Sequence, residues 1–437
     1  MPLEVMSTTD VFDRLGANDF RIYPKANRGV ERLSPYAQPH GRAGFSIPPD
    51  AAIFATGSCF ARNVEKSLKF IDFNVVSSPW TLPVPREGEE QSSLYNKYTI
   101  HSILNEFKWA LSPEPVDHSK YIVPDKKGVY HDLNVTSHAD VTGTLEEMTA
   151  FRAAFNATFA AAATADVIIV TLGMVECWYD TETETYLNVM PPKSLIAHYP
   201  DRFQFRVLDY TDILSALEEL YAVISRGRAK APNIIVTVSP VGLASTFRPD
   251  DVLVANCYSK SVQRAAVEAF TMTHDAHYFP SYEYVTLTDS KFAWADRDFR
   301  HVRQETVDRI MADVLLAYAG PSRGQQLLYL RGHGTALHEN GEYQKLVDLI
   351  EPHVVEYCDE ADILWLYARG LRQVERREDA VEVCRIIMRM DSKVAHAAGR
   401  TAVNTLQMMK DAGGMPDLLD EYTGIFPDDQ EFIAKFR

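Results

Sequence analysis

The 437-residue sequence has no run of ~18 consecutive apolar residues, so no membrane-crossing helix is expected. Basic residues are the minority: 44 Lys and Arg stand against 60 Asp and Glu, a net charge of −16. A chain of that sign lacks the cationic footprint that nucleic-acid backbones and anionic lipid select, which argues against both as partners bound by charge. Cysteine is scarce. The five, Cys59, Cys177, Cys257, Cys358 and Cys384, are odd in number, scattered and nowhere spaced CxxC. That usage excludes a disulfide framework and a structural zinc site, and it fits reduced thiols in a cytoplasm. The opening MPLEVMSTTDVF has neither the basic end nor the apolar stretch of a secretory signal. No GxxxxGKS or GxxxxGKT loop occurs and no GxGxxG follows a strand-like run, so no cofactor is expected. His333 and His338 flank Gly334-Thr335 without further ligands in suitable spacing; they suggest a hinge or cap, and no metal is expected. What is present is ordinary globular material: 46% hydrophobic residues, and length for two to four domains at ~100–200 residues each.

Residues 1–50 are rich in Pro, Gly, Arg and Tyr and show no period, which predicts an irregular arm over the domain that follows. From Ala51 the pattern alternates. Strand-like runs at 51–56 (AAIFAT), 74–79, 167–173 (VIIVTLG), 233–240 (NIIVTVSP) and 276–285 are separated by helical spacing after Gly57 and over 99–111, 144–164, 209–227, 259–275 and 302–319. Apolar β-branched runs read as strands buried on both faces. Strict alternation with helices predicts an α/β fold over residues 51–325, a doubly wound five-stranded parallel sheet. Residues 326–437 offer only helical pairs and predict a small all-α domain. Its unit 361–393 is close to the ~34-residue period of tetratricopeptide repeats, the alternative being an ordinary helical bundle.

Ligand sites of such sheets lie beyond the C-terminal strand ends. There, Thr56-Gly57-Ser58-Cys59-Phe60-Ala61 puts a serine between a buried strand and a helix N-terminus, where N–H groups favour a developing negative charge. The plain alternative is a helix N-cap. Asp298-Phe299-Arg300-His301 supplies the other half. A serine nucleophile needs a base and a carboxylate to orient it, and Asp three residues before His lets both project from one turn. The plain alternative is a surface Asp beside a capping His; Asp296 competes for the acid role but lacks a histidine three residues on. Cys59 is a second candidate nucleophile, since a thiolate at a helix start is activated. Neighbours in a turn point apart, so one of the pair is expected to face the pocket, and the strand–turn–helix frame favours Ser58.

The order of these elements, a serine turn after the first strand and DxxH after the last, resembles the SGNH/GDSL-type esterases. More specifically, Gly57-Ser58-Cys59-Phe60-Ala61, Asn96-Lys97-Tyr98-Thr99, Thr171 to Trp178, Thr237-Val238-Ser239-Pro240, Ala255 to Lys260 and Tyr278 to Glu283 resemble the GSCFA family, over roughly residues 50–320. That family looks like a divergent branch of the SGNH hydrolases. The resemblance implies a flavodoxin-like strand order, Ser58 as nucleophile and Asp298/His301 as its supporting pair. It also implies an oxyanion hole, and here the sequence departs from its relatives. SGNH enzymes use a glycine N–H and the asparagine of a GxND block, whereas this chain has Gly173-Met174-Val175-Glu176. A carboxylate cannot donate. The donors must come from the Ser58 and Cys59 amides, the Gly173 backbone, or the side chains of Asn96 and Asn256. Glu176 is left to bind a substrate hydroxyl, pair with a buried cation, or make a structural polar contact.

Two functions follow. One is a serine acyl-ester enzyme, a carboxylic ester hydrolase or O-acyltransferase, with an acylated carbohydrate as expected substrate by analogy. The other is a glycan- or acyl-binding module with little or no turnover, whose C-terminal helices recruit a protein partner.

Overall fold

A computed structural model of the chain describes residues 2–41, 43–78, 82–83, 88–135, 141–295, 298–410 and 413–436. Ten strands occur among them: β1 (Ile53–Gly57), β2 (Ile122–Pro124), β3 (Tyr130–Asp132), β4 (Thr142–Gly143), β5 (Val167–Leu172), β6 (Glu176–Asp180), β7 (Thr185–Leu187), β8 (Phe203–Val207), β9 (Asn233–Val238) and β10 (Ala276–Tyr278). The chain divides into two units, Met1–Arg303 with Val314–Gly320, and Gln304–Asp313 with Pro321–Arg437.

The first unit is built on a parallel sheet of order β1-β5-β9-β10. Every residue of β1 and β5 is buried, as continuous apolar runs require when helices cover both faces. The register sets Gly57 beside Thr171, and Thr171 beside Thr237, so three strands end level with one another. The sheet has four strands among the described residues, one fewer than the alternation predicts. In place of the expected second strand, Val75 makes a single parallel bridge to Ile53 and Asn96 another to Gly57. The last strand is shorter than expected: Pro280, which has no N–H to donate, ends the pairing, and Ser281–Thr286 is helical.

Helices start where capping residues stand. Thr99 and Thr144 close capping boxes on Ile100–Ala110 and Leu145–Ala160, and Asp209 does so on Tyr210–Ser225. The helix expected from residue 259 begins earlier, at Val252, because Asp251 accepts from the Leu253 N–H. Two small antiparallel sheets, β2-β3-β4 and β7-β6-β8, fall outside the α/β pattern. The N-terminal segment is less irregular than its composition suggests: Thr8–Ala17 is a helix with no buried residue. Pro35, Ala37 and Ile47 are stitched to the rest of this unit: Pro35 O accepts from Asp289 N–H, Ala37 N–H donates to Thr288 Oγ1 (2.9 Å), and Ile47 N–H donates to Tyr318 O (2.7 Å).

The second unit is helical among its described residues. Its core gathers Leu346, Val347, Ile363, Leu371, Cys384, Ile387 and Val403. Gly370 sits where a Cβ would come within 3.1 Å of the Leu346 side chain, so the helices Tyr343–Ile350 and Ala361–Gln373 approach closely. Gly334 and Thr335 form no hinge; they lie inside the helix Arg323–Glu339, with Gly334 packed against Leu346, Ile350 and Leu366. His333 is half-buried and its imidazole is pushed down to about 3, by desolvation first and by Arg309 second. The first ten residues of the helix Gln304–Tyr318 belong to this unit, where Asp308 takes a two-pronged ion pair from Arg331 (2.8 and 2.9 Å).

Candidate functional site

Beyond the level ends of β1, β5 and β9 lies a cavity of about 460 Å³. Its wall contains the residue that follows two of those strands, Ser58 and Gly173, together with Cys59, Asn96, Tyr98, Met174, the loop residues Val241 to Ser245 with Phe247, and Arg300 and His301. The crevice past the strand ends is where doubly wound sheets bind ligands.

The turn into the first helix is tight for a reason visible at Gly57. Its φ is 135°, and a Cβ there would lie 2.1 Å from the Thr171 carbonyl oxygen. Only glycine tolerates that backbone so close to the next strand. The turn delivers Ser58 to the N-cap position of Cys59–Phe70 in extended conformation (φ −66°, ψ −178°), yet its hydroxyl makes no capping bond. It donates instead to Ser239 Oγ at 3.0 Å, and Ser58 is 4% exposed. The serine occupies a cap position without doing a cap's work.

His301 and Asp298 come from a loop closed by the Trp294–Val302 bridge and by Ala295 N–H to His301 O (2.8 Å). Asp298 Oδ1 accepts from the Arg300 and His301 N–H groups, and Asp298 Oδ2 pairs with His301 Nδ1. Those bonds, the imidazole's foremost, hold the Asp298 carboxyl below the usual carboxylate range. The other ring nitrogen, Nε2, lies 3.2 Å from Arg300 Nη2. A guanidinium only donates, so Nε2 is the acceptor and Nδ1 carries the hydrogen toward Asp298. That is the tautomer a general base needs, but its lone pair is occupied by arginine. Ser58 and His301 line one pocket with no direct hydrogen bond between them. Asp296 lies outside the described residues.

Cys59 also lines the pocket, so the expectation that only one of the pair faces it is corrected. Ser58 is the extended cap and Cys59 the first helical residue, and the cavity spans both. Burial raises the Cys59 pKa, with Arg300 and Lys260 pulling weakly the other way, so at neutral pH it is a thiol. That disfavours it as a nucleophile, because the thiolate is the reactive form.

Of the candidate oxyanion donors, Asn96 and Gly173 are in the wall. Asn96 is 6% exposed, and its Oδ1 has no partner. Asn188 clamps the segment it sits on: its Nδ2 donates to Asn96 O (2.8 Å) and its Oδ1 accepts from Tyr98 N–H (2.9 Å). Below, Lys97 N–H donates to Gly57 O at 2.7 Å, while its ammonium is buried against Glu106 and Asn134 O. Arg152 grips both Glu106 oxygens (2.9 and 2.8 Å) and Asp132 (2.6 Å). Burial alone would raise the Glu106 pKa, but Arg152 and Lys97 together hold it low. Gly173 is pinned by its surroundings: its carbonyl accepts from Lys260 Nζ at 2.6 Å, Met174 N–H donates to Tyr98 O at 2.8 Å, and a Cβ on Gly173 would meet Tyr98 O at 2.6 Å.

Glu176 and Asn256 stand outside the wall. Glu176 accepts from Thr246 Oγ1 (2.6 Å) and Phe247 N–H (2.9 Å); Asn256 Oδ1 accepts from Leu243 N–H (3.1 Å). Both hold the 241–247 loop in place, so Glu176 is the structural polar contact among its three expected roles. Sequence reading quoted Ser239, Tyr98, Arg300 and Lys260 within its motifs but gave them no role in the site. Lys260 carried a signal: Ala255, Ser259, Gln263 and Ala266 mark a buried stripe on Val252–Thr273, and a lysine within it is out of place. Among the described residues no three His, Cys, Asp or Glu side chains gather as metal ligands.

The chain is thus an α/β protein with a serine turn and a DxxH loop beside the ends of a parallel sheet. A sequence profile of the GSCFA family matches residues 52–313, three-fifths of the chain, and the protein belongs to that family. A comparison with curated proteins finds no match.

Proposed function

We propose that the protein is a serine acyl-ester enzyme, a carboxylic ester hydrolase or O-acyltransferase with an SGNH-like site. The observation that carries the reading is that the Ser58 hydroxyl, free of capping duty, and His301, held by Asp298 in base-competent tautomer, line one pocket. In this mechanism Ser58 attacks an ester carbonyl while His301 takes its proton. His301 then protonates the departing alcohol, and water or an acceptor hydroxyl resolves the acyl-enzyme. The Cys59 and Gly173 N–H groups and the Asn96 amide are the donors for the oxyanion. The substrate we favour is an acylated carbohydrate. The cytoplasmic reading is supported by the five unpaired cysteines. The helical unit is read as a tetratricopeptide-like platform for a protein partner.

The test is fluorophosphonate labelling with peptide mapping, beside Ser58→Ala. An adduct on Ser58 that vanishes in the variant supports the reading; labelling retained on Cys59 overturns the assignment. One observation favours the second reading, a binding module without turnover: Ser58 bonds to Ser239 and His301 Nε2 to Arg300, so neither is engaged with the other. A folded protein with an accessible pocket and no adduct would select it.

A further inference from the structure

Arg300 is unusual for a half-buried arginine in a chain with so many acids. Arg62, Arg152, Arg202, Arg264 and Arg331 each ion-pair with a carboxylate. Arg300 lines the cavity, and its side chain's contact is the His301 imidazole; among the described residues no carboxylate lies within ion-pair distance of its guanidinium. A second cation stands behind the same wall. Lys260 is 1% exposed, and its ammonium donates to the Gly173 carbonyl, again with no carboxylate partner among the described residues. Both act on Cys59 by charge, so the two cations converge on the Ser58–Cys59 turn. A guanidinium resting on a neutral imidazole exchanges a weak bond for a charge-assisted, two-pronged one when an oxyanion arrives.

We propose that Arg300 binds an anionic group of the substrate, a carboxylate or a phosphate, and that in turning to it Arg300 releases His301 Nε2 to serve as the base. This rests on the serine-enzyme reading for its second half only; the anion site stands on Arg300 itself. It makes the preferred substrate an acidic sugar ester, and it couples the base's availability to the presence of the correct ligand. A neutral ester leaves Arg300 on the imidazole and His301 without a lone pair for Ser58.

The experiment is calorimetric titration of the full chain with glucose, glucuronate and glucose 6-phosphate. Glucuronate or the phosphate sugar should bind at least tenfold more tightly than glucose, and which of the two wins names the anion. Arg300→Gln should bring the acidic sugar down to the glucose value, while Arg300→Lys should keep part of the gain. The ¹⁵N resonance of His301 Nε2 reads the release: it should shift on saturation with the acidic sugar in the wild type. Equal binding of all three sugars, unchanged binding by Arg300→Gln, or an Nε2 resonance indifferent to bound acidic sugar would each overturn the proposal. Anion binding lost in Arg300→Gln, in a protein whose Ser58 takes no fluorophosphonate with or without the acidic sugar present, would uphold the anion site and reject the serine enzyme.

Discussion

Lys260 offers a test of the buried electrostatics in which the sign and the size both follow from the structure. Burial pulls its ammonium from an ordinary 10.5 down to about 7, with Cys59 opposing. At ~1.36 kcal/mol per pH unit, holding the charge in the folded chain costs roughly 5 kcal/mol. Below pH 7 the folded and unfolded chains both carry the proton and that cost stands in full. Between 7 and 10.5 the unfolded chain still holds a proton that the folded chain has released, so stability rises with pH. Lys260→Met abolishes this titration. The unfolding free energy of wild type minus variant should climb by about 2 kcal/mol from pH 7 to pH 9. At pH 7 the variant should be the more stable by roughly 2 kcal/mol, after ~1–3 kcal/mol is subtracted for the Gly173 carbonyl left without a donor. Urea unfolding followed by tryptophan emission at pH 7, 8 and 9 measures both. A difference that stays flat within ~0.5 kcal/mol across that range would refute the reasoning, because an ammonium that reaches water does not titrate early.

Gly57→Ala should cost more than ~3 kcal/mol, since it combines a backbone forbidden to L-residues with a Cβ driven into the Thr171 carbonyl; a loss under ~1 kcal/mol in denaturant titration would show that the strands can part there. Arg152→Met leaves Asp132 buried without its cation and Glu106 with Lys97 alone, and should destabilise by ~3–5 kcal/mol, with partial recovery on adding Asp132→Asn; a melting point equal to wild type would contradict this. Glu176→Gln keeps one acceptor oxygen where two are used, so amide exchange at Phe247 should speed up by about tenfold, or ~1.4 kcal/mol, with global stability nearly unchanged. Unaltered protection at Phe247 would mean the loop is held elsewhere. Ser58→Ala should leave the fold intact, its hydroxyl being spent on Ser239 alone, while acyl transfer from a chromogenic ester that carries a carboxylate falls to background.

The central sheet was legible because β1, β5 and β9 are buried on both faces, and an apolar β-branched run has few other readings. The helices were legible through Thr99, Thr144 and Asp209, which announce their starts locally. What escaped depends on distant partners. Residues 74–79 have strand-like composition, but a strand needs a neighbour along its length, and Val75 finds one bridge. The antiparallel pair β6 and β8 exists because Glu176–Asp180 meets Phe203–Val207, a relation no window of sequence contains. The site divides the same way. Ser58, Asp298 and His301 sit at strand ends and in short motifs, so type and spacing reveal them. That Arg300 occupies Nε2, that Ser239 takes the Ser58 hydroxyl, and that Glu176 serves a loop are facts of three-dimensional proximity.

The 241–247 loop is fastened at two main-chain points, the N–H groups of Leu243 and Phe247, by Asn256 and Glu176. Apart from Thr246, whose hydroxyl donates to Glu176, the side chains between those points are unconstrained by the fasteners. Ala244 and Ser245, which face the cavity, are therefore open to randomisation: a library at these two positions can resize the chamber while its floor on the sheet is untouched. The same arrangement gives natural lineages a cheap route to new specificity, in which one wall is redrawn and the reacting groups opposite never move.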